Sequence, residues 1–252
     1  MLKQRIYAMR ELTKREIKRK YARSYLGVLW SVLEPLLDMI VVSFIFSFMF
    51  KKSIEYFPVY YITGYIIVSF FSTSTRTAMT ALKDNRNLLL KTKMDRRVFV
   101  LSRDYTALVN LGFSLIAYIV VLLVFRIRPT LLFLLFPVDI VFLTLFAVGV
   151  SYMLSIWFVF QQDAINFYGI ILSVLTHLSA LFYSIDVLAP GVKQFIKFNP
   201  LYTYIHIARD VIIYGRISEM QYWIQMVAWG VGIFILGRLI FNAKENSVME
   251  KL

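Results

Sequence analysis

The chain contains no cysteine. Disulfides, thiolate metal sites and cysteine nucleophiles are excluded, and cysteine usage leaves the redox compartment open. Histidine is almost as scarce: His177 and His206 are the only two, too few for a multi-histidine metal cluster within one chain. No glycine is followed by lysine, so the phosphate-cradling G-x-x-x-x-G-K-[ST] loop is missing. If ATP drives this protein, another chain hydrolyses it. The acids and bases that hydrolysis or glycosyl transfer would need do not cluster either, since Asp186, Arg209 and Asp210 match no catalytic spacing. Charged residues make up 17% of the chain, against about 25% in an ordinary soluble domain.

What is abundant is apolar. Hydrophobic residues are 59% of the 252, and the mean hydropathy is +0.67. That excess predicts an all-α integral membrane protein, read as one transmembrane domain over residues 1–252 without internal repeats. The first 26 residues carry nine Lys/Arg and no apolar run, so no cleaved signal is expected there. Runs free of charge predict spans at Tyr56–Thr75, Tyr105–Phe125, Ile140–Gln162, Ala164–Ile185 and Met220–Gly237. A sixth lies over Gly27–Phe50, interrupted by Glu34, Pro35 and Asp38. With six spans both termini share one side, and that side collects 20 Lys/Arg against eight on the other. The positive-inside rule makes it the cytoplasm. The net charge of +13 therefore reads as orientation and contact with anionic membrane lipid, not nucleic-acid binding.

Two segments are more than loops. Leu2, Ile6, Met9, Thr13, Ile17 and Tyr21 recur at helical spacing among the cations of residues 1–26, which predicts an amphipathic helix along the cytoplasmic surface. Residues 190–221 are too polar to span and too apolar to be disordered. They read as two short helices, Gly191–Phe198 and Tyr202–Tyr214, broken at Asn199-Pro200 and folded as a re-entrant hairpin on the outer face. Gln161–Phe167 is expected to be a tight turn, and Pro137 with Asp139 a kink or an early polar pocket.

Candidate functional residues follow from what a membrane disfavours. Glu34 and Asp38 lie four apart and share a helix face, as a polar lining or as interfacial groups. Tyr65, Tyr118, Tyr152, Tyr168 and Tyr183 fall inside predicted spans, where a hydroxyl wants a partner. As a set they favour a passage for an amphipathic substrate. Between the second and third spans, residues 83–97 hold Leu88, Leu89 and Leu90 inside a charged stretch. Pressing that apolar knot into a partner groove would explain it; docking on the membrane or on the N-terminal helix is the alternative. An ion-coupled secondary carrier would need a relay deep in a span, for which only Asp139, Asp186 and His177 are available.

Three stretches carry a resemblance. Tyr21–Pro35, reading YARSYLGVLWSVLEP, resembles the start of the first span in permease subunits of ABC exporters for bacterial surface polysaccharides, the O-antigen, teichoic-acid and capsule type. Asn85–Lys91, NRNLLLK, resembles that family's cytoplasmic coupling segment, and Asn199–Gly215, NPLYTYIHIARDVIIYG, is similar to its outer-face hairpin. The resemblance implies a homodimer in the bacterial cytoplasmic membrane, bound to two copies of an ABC ATPase subunit that hold the ATP and magnesium. The chain itself would bind no cofactor and catalyse nothing. A lipid-linked polysaccharide would be its cargo; lipids or hydrophobic drugs are the alternative cargo. Asp84, Asn85, Arg86, Leu88, Leu89 and Lys91 would meet the ATPase. Arg19, Lys20, Tyr21, Arg23 and Ser24 would form the interfacial helix and touch the lipid carrier. Trp30 and the five tyrosines would line the channel, and Asn199, Pro200, Tyr202 and Arg209 would gate its outer end.

Overall fold

The computed structural model describes residues 2–21, 26–49, 54, 56–92 and 94–251. Every regular element among them is helical. Four stretches are long and apolar enough to cross a membrane: Gly27–Phe46, Arg97–Val124, Leu131–Phe160 and Met220–Lys251. The chain is a multi-pass membrane protein.

The N-terminal helix α1 (Leu2–Tyr21) does form, and Leu12, Thr13 and Glu16 are buried against the rest of the chain. A turn of 3-10 helix leads into α2 (Trp30–Met49), which continues through Glu34, Pro35 and Asp38. The longest buried helix is α3 (Phe57–Met79), whose Tyr, Ser and Thr content keeps it below the hydropathy of the other four. It can be polar because it meets protein on most sides. Thr63 shares a hydrogen bond of 2.7 Å with the Tyr118 hydroxyl, and Tyr168 donates to Thr75 at 2.5 Å. Each hydroxyl removed from water thus regains a partner.

After two short helices, α4 (Ala81–Asp84) and α5 (Arg86–Lys91), the chain enters α6 (Arg97–Val124). A 3-10 turn at Leu131–Leu135 then starts α7 (Phe136–Phe160). Pro137 stands in the first turn of α7, where a missing N–H costs nothing, so it opens the helix. Asp139 is fully buried beside it and, among the described residues, has no hydrogen-bond partner.

The tightest pairing is between α7 and α11 (Met220–Lys251). Phe142 lies against Gly230, Gly149 against Ile233 and Gly237, and Tyr152 against Phe241. The numbers rise together, so the two helices are parallel. A Cβ on Gly149 would strike the Ile233 carbonyl, and one on Gly237 the Gly149 carbonyl. Only glycine lets the backbones touch there, as in small-residue membrane interfaces.

The connection between two parallel helices must bring the chain back to its starting end. The return begins with α8 (Ala164–His177), which has 14 residues and extends about 21 Å, short of a hydrocarbon core of about 30 Å. The sequence leads one to expect this helix to continue to Ile185, because the apolar run continues. It stops at His177 because side chains take its last carbonyls: Asn199 Nδ2 donates to Leu175 O at 2.7 Å, Ser179 Oγ to Thr176 O at 2.7 Å, and the Tyr183 hydroxyl to His177 O at 2.8 Å. Orphan carbonyls at a helix end need such partners. The irregular backbone after them is buried, with Ser179, Ala180 and Leu181 shielded from outside. It leads to α9 (Pro190–Phe198) and α10 (Pro200–Ile212). Asn199 caps α10 by accepting from Leu201 N at 3.0 Å, and Pro200 takes the first helical position.

Candidate functional site

Three regions bring together residues with functional chemistry. The first is at the end of the bundle formed by α1, α4, α5 and the start of α6. Arg103 on α6 donates from Nη1 to Glu16 Oε2 at 2.7 Å and from Nη2 to Asp84 Oδ2 at 3.0 Å. Arg15 donates to Asn85 Oδ1 at 2.6 Å and to Glu16 Oε1 at 3.2 Å. Thr80 Oγ1 adds a bond to Asp84 Oδ2 at 2.8 Å. One half-buried arginine thus ties α1, α4 and α6 together, and its fork geometry suits two carboxylates better than a lysine's would.

The leucine knot divides within α5. Leu89 is 4% exposed and joins Leu12, Leu82, Val98 and Phe99 in an apolar cluster. Leu88 and Leu90 are 38% and 52% exposed, with Arg86 and Lys91 exposed beside them. Asn85 is buried and bonded to Arg15 and to Ala81 O, while Asp84 pairs with Arg103. An outward rim of Arg86, Leu88, Leu90 and Lys91 therefore stands on an inward anchor of Asn85 and Leu89.

The second region is a polar face. On α3, Tyr65, Ser69, Ser72, Thr73, Arg76 and Thr77 are accessible, while the apolar residues between them are buried. On α6, Arg103, Thr106, Asn110 and Ser114 face the same groove. A cavity of about 570 Å³ lies between α1, α3 and α6, lined by Glu16, Thr73, Thr77, Arg103, Thr106 and Asn110. Deeper in, Tyr21 bonds both Ser31 and Asn110, and Ser114 donates to Ser31 O at 3.2 Å. Further along α3, Tyr65 lies beside Asp38 of α2. The remaining exposed surface is different: α8 offers Ile165, Phe167, Ile170 and Val174, and α2 offers Leu37, Ile40, Val41 and Phe44. Hydroxyls and charge at mid-span do not face hydrocarbon; they face water or protein.

The third region lies at the opposite end, beneath α10. Arg209 is buried and carries no carboxylate partner among the described residues. It donates to Tyr60 O from Nε and Nη2, both at 3.2 Å, to Ala180 O at 3.0 Å and to Leu181 O at 3.2 Å. Burial lowers its pKa from the ordinary value. Its neighbour Asp210 instead accepts from Arg216 Nε at 2.8 Å and Ser218 Oγ at 2.9 Å, and lies 3.4 Å from His206 Nε2.

Not all the residues singled out in the sequence lie on these surfaces. Tyr118, Tyr152 and Tyr168 are buried between helices, whereas Tyr65 and Tyr183 are partly accessible. Trp30 is exposed at the start of α2. Tyr202 is buried and bonds His206 at 3.2 Å. Arg23 and Ser24 lie outside the described residues, and of Arg19 and Lys20 only the backbone is described. Sequence reasoning missed Glu16, Arg103 and the hydroxyls of α3. The run Ser72–Thr77, STSTRT, was a usable signal: hydroxyls clustered inside a span need a wet or bonded face.

This arrangement of apolar helices, an N-terminal helix latched to a two-helix connection and a helical hairpin before the last long helix defines a membrane transporter subunit. Residues 7–213 match the ABC-2 type transporter family, and the chain belongs to that family. Two proteins of Klebsiella pneumoniae, each named O-antigen export system permease protein RfbA, are 26% and 25% identical to it over 197 residues, 78% of this chain and 76% of theirs.

Proposed function

We propose that this chain is the transmembrane subunit of an ATP-driven exporter that moves a lipid-linked polysaccharide across the bacterial cytoplasmic membrane. The observation that carries this reading is the polar face of α3 and α6. It runs from Tyr65 to Thr77, about 18 Å at 1.5 Å per residue, and offers hydroxyls, an amide and guanidinium groups to a hydrated chain. A single copy leaves that face open. The apolar surfaces of α2 and α8, both packed on α3, flank it. A second copy seated on them in a closed two-fold dimer would turn the groove into a passage.

Six crossings fit the topology: α2, α3, α6, α7, a return through α8 and the buried segment after it, and α11. With α1 and the end of α11 on the Lys/Arg-rich side, both termini are cytoplasmic. The α9–α10 hairpin then sits at the outer face, its irregular backbone screened by protein. Arg86, Leu88, Leu90 and Lys91 meet a separate ATPase subunit, and Arg103 carries its movement from α4 into α1 and α6. Arg19, Lys20, Arg23 and Ser24 belong to the junction where the lipid carrier's phosphates arrive. The cargo class follows the name of the similar proteins, O-antigen export system permease.

The test is reconstitution. Co-expressed with an ABC ATPase subunit, the chain should co-purify as a complex with two copies of each subunit and move lipid-linked glycan into proteoliposomes only with ATP. Transport by this chain alone, driven by a proton gradient, would overturn the reading.

A further inference from the structure

A second cleft shares no lining residue with the polar groove. It has a volume of about 340 Å³ and opens between α1, α6, α7 and α11, at the end of the bundle that carries α4 and α5. Its walls are apolar, formed by Ile6 and Met9 of α1, Leu101 of α6 and Phe234 of α11. Its rim is basic. Arg97 is bound to Asp95 Oδ1 at 3.0 Å, which consumes that charge. Arg238 has no hydrogen-bond or ion-pair partner among the described residues.

Arg238 is the informative residue. Its neighbours Ile235, Leu236 and Leu239 are exposed and apolar, as a lipid-facing surface must be. An arginine on such a surface sends its guanidinium along the helix to the headgroup layer. There the available counter-charge is a lipid phosphate, which a guanidinium fork binds in bidentate fashion. The apolar wall beneath would receive the start of an acyl chain, and Tyr152 lines the same cleft.

We propose that this cleft binds an anionic phospholipid from the membrane leaflet on the α4–α5 side, with its phosphate on Arg238 and its glycerol-linked chains along Leu101 and Phe234. The bound lipid would bridge α11 to Ile6 and Met9. It would thereby add a contact at the start of α1, a helix whose hydrogen bonds to the bundle come from Thr13, Arg15, Glu16 and Tyr21 further along. The site requires a membrane but neither an ATPase nor a cargo, so its failure would leave the export reading intact.

The experiment is lipid titration of the full-length protein in mild detergent, read as thermal stability and as phospholipid retained in native mass spectra. Phosphatidylglycerol should stabilise the wild type at lower concentration than phosphatidylcholine. Arg238→Gln should weaken the phosphatidylglycerol response about fivefold, the equivalent of the ~1 kcal/mol that one basic residue gains beside an anionic leaflet. Met9→Trp fills the cleft without touching its charge and should reduce retention as well, so the test survives if Arg238→Gln fails to fold. Arg128→Gln, exposed at the opposite end, should change nothing. Equal responses to the two lipids, an unaltered response in both cleft variants, or equal protection by inorganic phosphate alone would overturn the proposal.

Discussion

The Arg209 guanidinium lies 3.3 Å from the centroid of the Tyr60 ring and also donates two hydrogen bonds to the Tyr60 backbone carbonyl. The Tyr60 hydroxyl in turn donates to Tyr183 O at 2.9 Å. These two residues fasten the start of α3, the buried turn after α8 and the middle of α10 at one point. The turn needs fastening, because Ala180 has φ +53°, a left-handed conformation that costs a non-glycine residue about 1–2 kcal/mol.

Replacing Arg209 with methionine should therefore cost about 2–4 kcal/mol, since its four bonds to three buried carbonyls are lost, although Ala180 O keeps a second donor, the Tyr60 hydroxyl at 3.4 Å. Arg209→Lys keeps the charge but not the fork and should recover only part of the loss. Ala180→Gly, which relieves the backbone without touching the arginine, should raise stability. Thermal unfolding of the solubilised protein measures all three. Unchanged unfolding of Arg209→Met would contradict the clamp.

Within the leucine knot, neighbouring substitutions should behave oppositely. Leu89→Ala removes a buried side chain and should destabilise the chain by about 2–4 kcal/mol. Leu88→Asp and Leu90→Asp alter an exposed rim and should leave insertion and stability intact while abolishing ATP-dependent export. The check is surface glycan alongside membrane-inserted protein. Normal surface glycan in Leu88→Asp would remove the coupling role.

Arg103→Gln takes the guanidinium from both Glu16 and Asp84, leaving, among the described residues, Glu16 only Arg15 and Asp84 only Thr80. The double-mutant cycle with Glu16→Gln should give a coupling of about 1–3 kcal/mol, because the pair is shielded on both sides. The exposed pair of Lys14 with Glu11 should give less than about 1 kcal/mol in the same experiment. A coupling no larger than that would mean that the latch is decorative.

Glycine substitutions separate close approach from helix propensity. Gly149→Ala pushes a Cβ into the α11 backbone and should destabilise by about 1–3 kcal/mol. Gly112→Ala, with nothing within 4 Å, should be neutral or stabilising by up to about 1 kcal/mol. Similar unfolding temperatures for the two variants would refute the backbone contact between α7 and α11.

His206 should contribute stability that is lost as pH drops through about 6.5. Burial pulls His206 below its ordinary 6.5, outweighing the upward pull of Asp210, whose oxygens are already engaged by Arg216 and Ser218. Arg209, Arg216 and Glu219 supply the remaining charges around the ring, and Tyr202 and Tyr222 pack against it. Below 6.5 the unfolded chain binds a proton that the folded chain resists, so the stability present above 6.5 is lost until the folded ring titrates too. His206→Gln should flatten that slope, which a thermal-unfolding series across pH 5–8 would reveal.

Helix content, membrane residence and the break at Asn199-Pro200 are properties of local composition and periodicity, and they were legible in order along the chain. The triplet Leu88–Leu90 announced an apolar knot, but a triplet on a helix points in three directions, and only the cluster around Leu12 and Phe99 decides which leucine faces inward. The end of α8 was illegible for a similar reason. The apolar run continues past His177, while the groups that terminate it, Asn199 and Tyr183, arrive from elsewhere in the chain. The resemblance placed Arg209 at the outer gate but gave no sign that its guanidinium is buried. Three carbonyls gathered from two distant segments made burial affordable, and no pattern along the chain encodes that gathering. Composition and spacing determined that this chain would be a bundle of membrane helices with an amphipathic helix at its start. Tertiary structure alone decided which face of each helix is open, because burial and hydrogen-bond satisfaction depend on neighbours that are remote in sequence.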